Sequence, residues 1–84
     1  MSAHIGNTQK QKALMYKALE TKYQAEADEA IATINVYLNN AAGIGEHPQV
    51  VEELSKQAEK LANAQDVLSC LKTNKKELMS YNDV

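Results

Sequence analysis

Gly43-Ile44-Gly45-Glu46-His47-Pro48 interrupts two long stretches that otherwise read as helix. Two of the three glycines stand here, together with the only proline. Gly43 suits the left-handed position just past a last helical turn, and Ile44 is then placed to pack back on that helix. Gly45 keeps the connection permissive. Pro48 fits the first turn of a second helix, where its missing N–H costs nothing. A connection this short makes the two helices antiparallel neighbours.

Working outward, the first helix is expected over residues 8–42, with 1–7 a loose N-terminus. Thr8 and Gln11 have the spacing of a capping box. Ala, Leu, Lys, Glu and Gln, all good propagators, dominate the stretch that follows. The turn is 43–47, the second helix 48–81, and 82–84 fray. Thr73-Asn74 is a weak point. Asn74 and Glu77 repeat the capping spacing, so a kink or a short third helix is expected near 74–81.

Both stretches have an apolar period of 3.6. On the first, Tyr16, Leu19, Tyr23, Ala27, Ala30, Ile34, Tyr37 and Ala41 form a stripe flanked by Ile31 and Leu38. On the second, Val51, Leu54, Ala58, Leu61, Gln65 and Leu68 form one that drifts through Leu71 to Leu78. Folded at the break, residues whose numbers sum to about 92 face each other, by the common helical rise. Leu38 then meets Leu54, Ile34 meets Ala58, Ile31 meets Leu61, and Tyr23 meets Leu68.

A second stripe on the first helix, Leu14, Ala18, Ala25, Ala32 and Val36, points away from the main one. It reads either as helix-favouring alanine on a tolerant surface or as a second contact face. A chain of 84 residues buries little core by itself. The expected fold is therefore all-α: an antiparallel two-helix hairpin, in one domain spanning 1–84, that dimerises into a four-helix bundle.

Charge sharpens this picture. Residues 1–22 sum to +3, 23–66 to −6 and 67–84 to +1. Folding at the break gathers the basic segments, with Lys10, Lys12, Lys17, Lys72, Lys75 and Lys76, at the open end. Such a cluster could touch phosphates. The absence of Arg and of any reading motif argues against nucleic acid as the main partner.

Catalytic chemistry is not legible. His47 beside Glu46 could serve acid–base work or a metal, but two groups fall short of the three or four ligands zinc needs. Capping or solvent contact accounts for them more simply. Cys70 has no His at helical spacing, and nearby acids would raise its pKa. No phosphate loop, nucleophile motif or cofactor fingerprint occurs. No catalytic, cofactor or metal site is expected. A single cysteine points to a reducing compartment, and no charged n-region with an apolar run marks a leader or membrane span.

Tyr37-Leu38-Asn39-Asn40-Ala41-Ala42-Gly43-Ile44-Gly45-Glu46-His47-Pro48-Gln49, followed by Val51-Glu52-Glu53-Leu54, resembles small proteins of T-even-like contractile-tailed phages, including marine cyanophages. The likeness covers about a quarter of the chain around the turn and carries no activity with it. It implies a phage protein made in bacterial cytoplasm. The expected function is a homodimeric protein–protein interaction module acting on a host or phage protein. The alternatives are a nucleic-acid-associated accessory protein using Lys72, Lys75 and Lys76, or a minor virion component. Geometry alone explains Gly43, Ile44, Gly45 and Pro48. Glu46 and His47 join Leu14, Ala18, Ala25, Ala32 and Val36 as candidate interaction residues.

Overall fold

A computed structural model describes residues 4–40 and 48–80 of the chain. It is an antiparallel helical hairpin. Helix α1 spans His4–Asn39 and packs along its length on α2, Pro48–Thr73; a short α3 follows at Lys75–Met79. The molecule measures 63 × 21 × 15 Å, the proportions of two helices side by side.

Helix α1 starts four residues before the expected Thr8 and absorbs part of the expected loose N-terminus. Gly6 lowers helix propensity by about 1 kcal/mol relative to Ala but does not forbid the conformation. Thr8 therefore lies inside the helix, not at its cap. The far end comes at Asn39. Asn40 turns the chain there, with its backbone N–H and its Nδ2 both donating to the Val36 carbonyl, at 3.1 and 2.8 Å. The expected turn at 43–47, with Gly43, Ile44 and Gly45, lies outside the described residues. So do Ala41, Ala42 and 82–84.

Pro48 opens α2 as its fixed φ allows. The break at Asn74 matches the expected weak point, but its chemistry differs. Asn74 makes no side-chain bond to α3. Its Nδ2 donates 2.7 Å back to the Cys70 carbonyl, as its N–H does at 3.0 Å. Each long helix thus ends on an asparagine that satisfies a carbonyl four residues earlier, one of those every helix end leaves without a partner.

The core is thin. Tyr16, Ala27 and Ala30 of α1 and Ala64 and Leu71 of α2 are buried. Ala30 and Ala64 are 0 % exposed. Alanines at the seam let the two backbones approach closely, which suits antiparallel helices packed side by side. Tyr23, Ile34 and Tyr37 are half-buried, in line with the expected stripe on α1, whereas Leu19 is exposed.

On α2 the expected stripe needs correction. Val51, Ala58 and Gln65 are exposed, while Ala64 is buried and Val50, Gln57 and Val67 are half-buried. Leu54, Leu61 and Leu68 sit half-buried at the edge of the seam. The helix is turned so that the centre of its apolar arc faces sideways. The cause is breadth: apolar residues cover more of α2 than one neighbouring helix can bury. The register shifts with it. Tyr16 contacts Leu71 and Glu29 contacts Lys60, about one turn nearer the chain reversal than a sum of 92 places them. The expected register assumed that α1 runs to Ala42, whereas it ends at Asn39.

Candidate interaction surfaces

The open end is where side chains from the three described helices converge. The Tyr16 hydroxyl donates 2.8 Å to the Leu71 carbonyl. That carbonyl belongs to the last turn of α2, which has no further helical N–H to accept from. The Lys12 ammonium similarly donates to the Ser80 carbonyl, beyond α3. Lys75 places its ammonium 5.5 Å from the Tyr16 ring centre, a cation–π contact. Burial pushes the Tyr16 phenol above its ordinary value, and the Glu20 carboxylate pushes the same way.

Beside this contact lies an open groove of about 520 Å³. Met15, Leu19, Leu71, Leu78 and Met79 form most of its lining, and Lys12 and Lys22 line it too. Lys22 pairs with Glu26 at 2.7 Å and lies 4.6 Å from the Tyr23 ring centre. The hydrogen bond and charge of Glu26 hold the Lys22 ammonium above its usual pKa. The sequence pattern placed Leu19 in the core and left Met15 and Met79 unremarked; only the kink at Asn74 brings α3 over this part of α1.

The outward stripe of α1 is solvent-facing. Leu14 is 65 % and Val36 57 % exposed, and Ala18, Ala25 and Ala32 are exposed too. Ala18 also reaches the groove. Glu46 and His47 lie outside the described residues.

A third surface is shared by both long helices. At 100° per residue, Glu29 and Lys22 lie on one flank of α1's buried arc, and Ile31 and Leu38 on the other. On α2, Lys60 lies on one flank and Leu54, Leu61 and Leu68 on the other. The Glu29–Lys60 ion pair ties the first two flanks together. Ile31 and Leu38 therefore share the opposite side with the three leucines. Leu38 is 59 % exposed and Ile31 42 %, and the leucines are half-buried. The apolar surface continues round α2 through exposed Ala58 to Val51. The sequence pattern found these α2 residues but assigned them to the core.

Among the described residues no three His, Cys, Asp or Glu side chains come together as a metal would require. Cys70 is a free, exposed thiol. No described helix is long and apolar enough to cross a membrane. No protein-family model matches the chain, and no curated protein or solved structure matches it.

Proposed function

We propose that the chain is a non-catalytic protein–protein interaction module that works as a homodimer, two hairpins closing into a four-helix bundle. One observation carries this reading: the exposed surface is too large for the core beneath it. The chain exposes 6540 Å², against about 5,000 Å² for a compact monomer of this length. The excess of about 1,500 Å² is more than the roughly 800 Å² per partner that a standard interface buries. Among the described residues five are buried, three of them alanine, which leaves the hairpin little apolar stabilisation of its own. A second copy supplies the missing layer in the ordinary way for helical hairpins.

The resemblance around the turn supplies a setting: a small phage protein in bacterial cytoplasm, bound to a host or phage protein. Sedimentation equilibrium tests the dimer. A dimer at micromolar concentration is expected, and a stable, fully folded monomer there would sink the reading. Affinity capture from infected cells, with a Leu61→Lys variant as control, tests the second partner.

A further inference from the structure

We infer that the two copies join through the shared face of Ile31, Leu38, Leu54, Leu61 and Leu68, in antiparallel order, the open end of one hairpin lying over the turn end of the other. This rests on the dimer reading and adds to it a surface and a direction. The occupant is a second copy because the face runs across both helices, the exposed surface exceeds that of a compact monomer by more than one partner of a stable dimer buries, and the two halves of the chain carry opposite charge. The outward stripe of α1 is narrower and mostly alanine, so pairing there would bury less apolar area.

Charge sets the direction. The open half of the hairpin holds segments of +3 and +1, and the half around the turn holds −6. Parallel pairing would stack like on like along the whole contact. Antiparallel pairing sets the net-positive open half of each protomer over the net-negative turn half of its partner, a complementarity of whole segments and not of single pairs. Leu54, Leu61 and Leu68 lie seven residues apart along one line of α2. The two-fold axis then passes near Leu61, so that Leu61 faces its own copy and Leu54 of one protomer faces Leu68 of its partner.

Cysteine cross-linking reads this arrangement. With Cys70→Ser removing the native thiol, single Leu54→Cys, Leu61→Cys and Leu68→Cys variants are oxidised, alone and mixed. A disulfide needs Cα atoms within about 7 Å, so linking is selective. Leu61→Cys is expected to link to itself, with Leu54→Cys and Leu68→Cys linking to each other at least about tenfold faster than to themselves. Self-linking at all three positions in a proven dimer would overturn the direction while leaving the dimer intact. Faster self-linking of Val36→Cys would overturn the surface. A monomer in sedimentation would overturn both. The unmodified protein gives a second reading: raising salt from about 50 to 500 mM should weaken the dimer about three- to tenfold, and a tighter dimer would overturn the antiparallel order.

Discussion

The Tyr16 hydroxyl and the Leu71 carbonyl, 55 residues apart in the chain, meet at 2.8 Å and tie the open end of the hairpin together. Tyr16→Phe keeps the ring and removes the donor. We expect an unchanged helical spectrum and a melting temperature lower by a few degrees. The pH dependence follows from the raised phenol pKa. The folded state favours the neutral phenol, so this contribution is complete below the ordinary value of 10.0 and fades as pH rises through the higher folded value. Urea midpoints measured through that range should fall more steeply in the native protein than in Tyr16→Phe. Equal slopes would refute the assignment.

Ala30 and Ala64 set the spacing of the seam, both being wholly buried. Leucine at either position has nowhere to go without separating the helices. Each single substitution should cost about 1–3 kcal/mol in urea unfolding, despite leucine's good helix propensity. A neutral or stabilising result would mean that the helices do not meet at these residues.

Gln57 is half-buried in the seam, and its Oε1 has no hydrogen-bond partner among the described residues. Its Nε2 donates to Glu53 at 3.1 Å. Gln57→Met keeps the length and removes the orphaned acceptor. A gain of about 1 kcal/mol is expected in the same unfolding assay. Loss of stability would show that Gln57 serves a partner.

Glu29 and Lys60 join the two long helices across the seam, and the hydrogen bond and charge of Lys60 hold the Glu29 carboxyl below its ordinary value of 4.5. A lowered pKa stabilises the fold above the ordinary value, and that contribution disappears as pH falls through the lower folded one. Glu29 is exposed, so salt screens the pair. The melting temperatures of the native protein and Glu29→Gln should differ slightly at neutral pH and low salt. They should converge in acid. A gap that persists at low pH would refute the pairing.

The two apolar surfaces make opposite forecasts for charge insertion. Leu61→Lys places an ammonium on the shared face and should convert dimer to monomer at micromolar concentration. Val36→Lys, on the outward stripe of α1, should leave sedimentation unchanged. The reverse pattern would move the interface to the outward stripe.

Much of the hairpin was legible because its signals are local. Pro48, the good helix formers and the weak point at Asn74 each speak for their own stretch of chain. What escaped depended on a neighbour. Ala64 is the centre of α2's buried side, yet alanine looks the same in a core as on a surface. Leu54, Leu61 and Leu68 were found by their period, but period cannot say which part of a broad apolar arc a single facing helix takes. Asn74 matched the pattern of a cap for the helix ahead and serves the helix behind it. Tyr16 reaches a backbone carbonyl, an acceptor that carries no sequence signature.

A hairpin brings residues together at distances along the chain that grow steadily from its turn to its open end. The helix pair can therefore zip from the reversal outward, each new contact closing only a small additional loop. Tyr16 and Leu71 lie near the far end of that progression. In that order their bond forms late, just inside the Lys12–Ser80 contact, and amide protection is expected to decline along the helices toward this end. The groove between α1 and α3 lies at this open end, so its lining side chains are expected to part before the rest of the hairpin unfolds.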